Sequence, residues 1–171
     1  MANYGLYLGS TDAINGSNSA QNLFSIENPI SSSVNLIVKQ IRVRGILTSD
    51  TTTVFSYHCG RTDGLPSGGT VLTAQKQRTS YSDANGIVRL QPIGTLAAGQ
   101  IWSTTPSIPI IIGAPLTGIT AGPEFEEQVF DTINEEENLI LAPNEGLMVT
   151  VDANATTWRH TIRIYWGESL I

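Results

Sequence analysis

The stretch NLILAPNEGLMVTVDANATTWRHTIRIYWGE, which runs from Asn138 to Glu168, has the clearest periodicity in the chain. Its last part places apolar residues and a histidine on one side of a two-residue repeat, and polar residues on the other. This alternation is typical of a β-strand with one buried and one exposed face. The expected inward residues are Trp158, His160, Ile162, Ile164 and Trp166, and the expected outward residues are Arg159, Thr161, Arg163 and Tyr165.

A second alternating run, Leu147 to Val151, precedes this strand, and turn-forming residues from Asp152 to Thr156 separate the two. We therefore predict a long antiparallel hairpin. A third apolar run, Leu139 to Leu141, is joined to the hairpin through a turn from Pro143 to Gly146. Together the three runs predict a C-terminal β-meander.

The composition indicates a single β-rich domain. A chain of 171 residues is the size of one domain, and roughly 70% of its unfolded surface is buried on folding. Charged residues make up only 14% of the chain, against about 25% in a typical protein. Ser, Thr, Asn and Gly are abundant, which favours strands and turns over helices.

The net charge and the distribution of apolar residues exclude several kinds of partner. A formal net charge of −6 is opposite in sign to the basic face of nucleic-acid-binding proteins, so we expect no nucleic-acid partner. No apolar run approaches the roughly 18 residues of a membrane span, and the first residues lack the pattern of a secretory signal. We therefore expect no membrane partner and synthesis in a cytoplasm. The lone Cys59 cannot form an internal disulfide.

The first 21 residues predict a flexible N-terminal arm. A short apolar segment, Tyr4 to Leu8, is followed by Gly9 to Gln21, which is polar and has no apolar period. We therefore divide the chain into an arm over residues 1–21 and a single domain over residues 22–171.

The run from Val34 to Ile46 is long for a strand, and its alternation changes phase partway along. A β-bulge near Lys39 and Gln40 accounts for the change. With the bulge in place, Arg42 and Arg44 point away from the core. Further strands are predicted over residues 24–27, 54–59, 71–77 and 87–91, with a hairpin turn at Asn85-Gly86 joining the last two.

Two segments carry mixed signals. Proline at position 109 places the apolar island Ile108 to Ile112 at a sheet edge, at a strand start, or in an extended surface segment. Between Phe125 and Ile133, apolar residues spaced four apart suit a helix, while their alternation also suits a strand. We favour the strand because the surrounding chain is β throughout.

These runs predict an all-β protein of about eight to ten strands. Many short strands with regular turn signals are typical of an antiparallel sandwich or barrel, and eight strands in two packed sheets form a jelly roll. An immunoglobulin-like sandwich is the nearest alternative, but its paired cysteines are absent.

No motif indicates catalysis or a metal site. His58 and Cys59 are neighbours on a predicted strand and so point to opposite faces, and His160 is distant in sequence. The His-x-His pair of cupin enzymes and the Gly-x-Ser-x-Gly turn of serine hydrolases are both absent. We expect His160 to be a hydrogen-bonded core or interface residue, and we expect no cofactor.

The acidic residues and one tryptophan are the remaining candidates for a binding site. No calcium-binding loop organises Glu124, Glu126, Glu127 and the run 135–137, so we interpret them as a solvated face. Trp102 lies in a loop-like stretch, where it either stacks on a sugar or pins its loop to the core or a partner.

The C-terminal pattern also resembles a known class of proteins. The turn Leu141-Ala-Pro-Asn-Glu-Gly146 and the closing strand ending Ile164-Tyr-Trp-Gly-Glu168 look like the ends of many small virion proteins of tailed bacteriophages. The resemblance implies a jelly-roll module, typically homotrimeric, placed either on the head or in the tail. On the head it would be a decoration or cement protein, and in the tail a fibre component or receptor-binding tip.

We therefore expect a non-enzymatic viral structural protein that binds itself and the major capsid protein or other virion proteins. A tail-associated receptor or glycan binder, with Trp102 as the glycan contact, is the alternative, and an enzyme with a degenerate motif is a third class. Arms and edge segments become ordered on partners, and Arg and Tyr are enriched in interfaces. The predicted interface residues are Tyr4, Leu6, Tyr7, Ile108, Ile110, Ile112, Arg159, Arg163 and Tyr165.

Overall fold

The computed structural model describes residues 5–11, 13–48, 55–104, 124–131, 139–153 and 157–171. Across these ranges the chain forms strands and turns and no helix. The strands are β1 (Gly5–Ser10), β2 (Ile14–Asn15), β3 (Gln21–Asn28), β4 (Val34–Leu47), β5 (Tyr57–Thr62), β6 (Thr70–Leu72), β7 (Gln75–Lys76), β8 (Ile87–Leu90), β9 (Leu96–Thr104), β10 (Glu124–Asp131), β11 (Leu139–Leu141), β12 (Glu145–Val151) and β13 (Trp158–Leu170).

The strands form two antiparallel sheets. The seven-stranded sheet has the order β10-β4-β13-β1-β7, with β11 also paired to β4 and β2 to β13. The six-stranded sheet has the order β6-β8-β3-β12-β5-β9. Buried apolar residues of both sheets form one hydrophobic core. The prediction of an all-β protein is confirmed, and the two sheets are consistent with a β-sandwich.

Strand β4 contains the predicted bulge. Along its pairing with β13, Tyr165 lies opposite Gln40 while Trp166 lies opposite Val38, so Lys39 is the extra residue. The bulge lets both halves of a 14-residue strand direct apolar side chains inward, because it resets the alternation. Arg42 and Arg44 point outward, as predicted.

The segment from Phe125 also adopts the favoured conformation. Strand β10 pairs with β4 from Glu124 to Asp131, so the strand interpretation is confirmed over these residues and the helix is excluded. Residues 132–138 lie outside the described part of the chain.

The predicted C-terminal meander is wrong, although its strands are correctly located. Strand β12 lies between β3 and β5 in the six-stranded sheet, whereas β13 lies between β4 and β1 in the seven-stranded sheet. Strand β11 pairs with β4. Alternation identifies the buried face of each strand. Two strands that are consecutive in sequence show the same alternation whether they pair in one sheet or face each other across the core from different sheets. The sequence pattern therefore does not identify the partner.

The flexible arm is also wrong for the residues described. Strand β1 pairs with β13 along its whole length, and Tyr7 is 1% exposed. The Tyr7 ring stacks on Trp166 with ring centroids 5.6 Å apart. Thr11 extends the attachment, because its hydroxyl accepts a hydrogen bond from the Ile162 amide at 3.0 Å. The polar composition that predicted mobility reflects the short, turn-rich connections around these strands.

The predicted hairpin at Asn85-Gly86 is replaced by a different contact. Strand β6 pairs with β8, but β7 pairs with β1 in the other sheet. Neither Asn85 nor Gly86 has the positive φ of a type I′ turn. A Cβ on Gly86 would lie 3.0 Å from Leu36 Cδ1 and 3.2 Å from Trp166 Nε1, so the glycine allows close packing against the core.

Glu168 fixes this loop to the last strand. Its carboxylate is 5% exposed and accepts hydrogen bonds from the Asn85 amide at 2.7 Å, Asn85 Nδ2 at 2.8 Å, the Gly86 amide at 3.0 Å and Trp166 Nε1 at 3.3 Å. Four donors compensate the cost of burying a carboxylate. The loop that joins the two sheets is thereby tied to the central strand β13.

We expect Glu168→Gln to lower the free energy of unfolding by about 3 kcal/mol, because the new amide group cannot accept from all four donors and leaves some buried and unpaired. Urea unfolding followed by tryptophan fluorescence measures the change. The control is Asp83→Asn, an identical chemical change at a side chain that is 96% exposed. Equal stabilities of the two variants would contradict the role assigned to Glu168.

Candidate functional site

The outward side of the seven-stranded sheet gathers most of the predicted interface residues that the structure describes. We call this surface the outer face, and define it by the outward side chains of β1, β4, β11 and β13 together with Glu126 of β10. Residues that lie opposite each other on paired strands share a face, so the register sorts the surface into rows. Two chemically distinct halves result.

One half of the outer face is apolar. Ile140, Ile37, Gly167 and Leu6 lie opposite one another on four adjacent strands. In the next row, Tyr165 lies opposite Leu8 of β1. Ile140 is 46% exposed, and Leu6, Ile37, Leu8 and Tyr165 are half-buried. These side chains form a contiguous apolar patch ending in a tyrosine.

The other half is rich in arginine. Arg163 of β13 lies directly opposite Arg42 of β4, and Arg44 lies opposite Thr161 in the next row. Arg159 stands one row further on, where its Nε donates to Asn15 Oδ1 at 3.1 Å. Like charges directly opposite each other in a sheet are destabilising. The arrangement therefore works against folding stability rather than for it.

A shallow pocket lies within the arginine-rich half. It is lined by Arg42, Arg44, Glu126, Thr161 and Arg163. One Arg42 amino group donates to Glu126 Oε1 at 3.0 Å, with the two side chains 43% and 49% exposed. Such an exposed ion pair contributes little to stability. The planar donor fork of arginine matches carboxylate and phosphate groups, so the pocket is suited to an oxyanion.

The predicted interface residues fall into three groups. Leu6, Arg159, Arg163 and Tyr165 all lie on the outer face. Tyr7 does not, because it packs in the core, and its prediction as an interface residue is corrected. Tyr4, Ile108, Ile110 and Ile112 lie outside the described residues.

Trp102 belongs to strand β9, opposite Cys59 of β5, and not to a loop. Its side chain lies outside the described part of the structure, so its role as a glycan contact stays a prediction.

Several members of the outer face were missed from the sequence. Arg42 and Arg44 were correctly predicted to point outward, but nothing in the pattern brought them beside Arg163. Leu8, Ile37 and Ile140 were not predicted as surface partners at all. The alternation within each strand marks these residues as outward-facing. Only the pairing of β13 with β4 and β1 shows that they share one surface.

The outward side of the six-stranded sheet is partly covered by other residues of the chain. On the outward side of the six-stranded sheet, Met148 is 1% exposed and lies beside Gly94 and the buried Pro66. Ser67 and Ile93 exchange backbone hydrogen bonds that hold the covering loops together. Loops therefore cover part of this sheet, whereas the outer face presents its own strand residues.

His160 is buried in the core next to aromatic rings, as expected from the sequence. It is fully buried, and its Nδ1 lies 2.6 Å from the Tyr57 hydroxyl oxygen. Phe55 contacts it edge-on with ring centroids 5.7 Å apart. The other ring nitrogen, Nε2, has no hydrogen-bond partner among the described residues. Burial lowers the pKa of His160 from 6.5 to about 4, so the ring is neutral at pH 7.

His58 and Cys59 point to opposite sides of β5, as predicted. His58 Nε2 lies 2.7 Å from Asp152 Oδ1, and Asp152 Oδ2 accepts from the Ser56 amide. Cys59 is fully buried, and burial raises the pKa of its thiol to about 12. The thiol is therefore unreactive at neutral pH.

Among the described residues, no group of three or more His, Cys, Asp or Glu side chains is placed to hold a metal ion. The same residues include no helix long and apolar enough to cross a membrane. No protein family, curated protein or solved structure matches the chain.

We expect the stability of the protein to fall as the pH drops from about 6.5 to 4. In this window the unfolded chain binds a proton at His160 while the folded chain does not. Proton binding at His160 alone therefore lowers the free energy of unfolding by about 3 kcal/mol between pH 6.5 and 4. Urea unfolding of the wild type and His160→Asn at several pH values isolates this contribution as the difference between the two pH profiles.

His58→Asn is the matched control, because His58 is partly exposed and paired with Asp152. It removes the other histidine and leaves the His160 ring and its contacts in place, so the part of the stability loss that depends on His160 should remain. Identical pH profiles for wild type and His160→Asn would refute the account of the buried histidine.

Proposed function

We propose that the two sheets form a jelly roll. The long strands pair in nested order: β1 with β13, β3 with β12, β4 with β10 and β11, and β5 with β9. An antiparallel ribbon with this nesting, rolled up once, produces the sheet orders β1-β13-β4-β10 and β3-β12-β5-β9. Both orders occur here, with short strands added at the edges. Eight strands in two sheets are typical of jelly rolls, which include viral capsid domains.

We further propose that the protein is a viral structural protein that decorates and stabilises a capsid. The observation that carries this proposal is the outer face, where an apolar patch with a tyrosine adjoins several arginines. Tyr and Arg are enriched in protein interfaces. A sheet surface of this extent suits a protein partner better than a small substrate, which needs a deep concave site.

The resemblance of the C-terminal strand and turn to small bacteriophage virion proteins supports the same proposal. A decoration protein stabilises a head by burying surface on neighbouring subunits, and repeated contacts across a lattice supply avidity. A rigid sheet suits this use because little conformational entropy is lost when a preformed surface docks.

Purified protein mixed with emptied, undecorated heads of the parent virus should bind saturably and at a fixed ratio to the capsid protein. Sedimentation of the heads followed by quantitative gel analysis measures this ratio. Bound protein should also raise the temperature at which the heads disrupt, since ligands that bind only the intact state stabilise it.

Absence of saturable binding to the heads would refute the decoration proposal. Binding to intact host cells or to a glycan array, lost in Trp102→Ala, would instead support the tail-associated alternative. Heat-unfolded protein is the negative control for this binding assay. A substitution at another tryptophan, Trp158→Phe, is unsuitable as a control because Trp158 is buried.

We also propose that the protein is a homotrimer. Sedimentation velocity at micromolar concentration should then give a species of three times the chain mass. A monomeric mass across the micromolar range would contradict the trimer without bearing on head binding.

A further inference from the structure

We infer that the outer face docks on an acidic protein surface and that a carboxylate of the partner enters the pocket beside Arg42 and Arg163. The identity of the partner as a virion protein rests on the proposed function. The chemistry of the contact rests on the structure alone.

Positive charge is concentrated on the outer face. The chain has nine Lys and Arg residues and a net charge of −6, yet four of the nine stand on the outer face. In the part of the chain that is described, the Arg163 side chain makes no hydrogen bond or ion pair. The arginines on this face are Arg42, Arg44, Arg159 and Arg163.

Two of the arginines on the outer face are neighbours on paired strands. Arg163 and Arg42 lie directly opposite each other, an arrangement that costs stability in the isolated sheet. An anion placed between the two guanidinium groups removes this repulsion and accepts hydrogen bonds from both. Glu126, which stands on the β10 side of β4, already accepts from one amino group of Arg42 at 3.0 Å, so the remaining Arg42 donors and the Arg163 side chain are the groups that a partner carboxylate would bind.

The apolar half of the outer face distinguishes a protein partner from other anions. The apolar patch begins one row beyond the arginines and includes Tyr165 and Leu8. A free anion gains nothing from this patch, and a nucleic acid is repelled by the net charge of −6. A protein surface that carries acidic side chains beside apolar ones satisfies both halves together.

A second copy of the same face is a poorer occupant. A two-fold contact between two outer faces would place arginines either against arginines or against the apolar patch. The one acidic side chain described on this face, Glu126, is already paired with Arg42, so either arrangement brings the arginines no new acidic partner, and unpaired charges buried in an interface are costly. The complementary surface therefore belongs to a region with acidic side chains.

The first experiment tests the pocket without any viral partner. Hexaglutamate titrated into the folded protein at low salt should shift the Arg42 and Arg163 side-chain NMR signals saturably, and added salt should weaken the binding. Hexaglutamine is the matched peptide control. Equal shifts with hexaglutamine, or no shift at these two arginines, would overturn the inference.

Variants test the assignment of the site. Arg42→Gln/Arg163→Gln should lower hexaglutamate affinity by about tenfold or more, while Arg78→Gln, an exposed arginine that stacks on Tyr81, should leave it unchanged. Thermal unfolding of each variant verifies that the fold is retained. Tighter binding of duplex DNA than of hexaglutamate at the same sites would overturn the choice of a protein partner.

The second experiment uses the undecorated heads. Arg42→Glu/Arg163→Glu should weaken head binding by about tenfold or more relative to Arg78→Glu. If wild type binds the heads and both variants bind equally well, the outer face is not the docking surface, although the decoration function stands. If wild type does not bind the heads, the decoration function fails, and hexaglutamate binding decides the inference separately.

Discussion

The structure depends on the pairing of β13 with strands on both of its sides. One side of β13 is paired with β4 from Trp158 to Leu170, and the other side is paired with β1. Its inward residues, among them Trp166 and Ile164, are fully buried. Burial of one full face forces the opposite face outward, because strand side chains alternate. The pairing of β13 on both sides therefore places its apolar residues in the core and its arginines on the surface.

Much of the fold follows from local patterns. The alternation predicted many of the strands, the outward orientation of Arg42 and Arg163, and a bulge near Lys39 and Gln40, but it missed β9, which falls in a stretch that reads as a loop. It did not predict which strands pair, since β12 and β13 look like a hairpin from their sequence yet lie in different sheets. Pairing is decided by contacts distant in sequence, such as the three hydrogen bonds that Asn85 and Gly86 donate to Glu168, and a two-residue alternation does not predict them.

The candidate site shows the same division between local and distant information. Each arginine was predictable as an outward residue of its own strand, but their meeting depends on the register of β4 against β13. Tyr7 illustrates the opposite error, because a short apolar segment in a polar neighbourhood resembles a loose arm. The partner strand that buries Tyr7 lies more than 150 residues away in the chain. Composition alone does not predict that contact.

We propose that the seven-stranded sheet meets a capsid through its outer face. A cryo-electron microscopy reconstruction of heads saturated with the protein tests this claim most directly. The account predicts that the outer face lies against the capsid lattice, with an acidic capsid side chain between Arg42 and Arg163. A reconstruction in which the six-stranded sheet or a sheet edge meets the lattice, leaving the arginines in solvent, would contradict it.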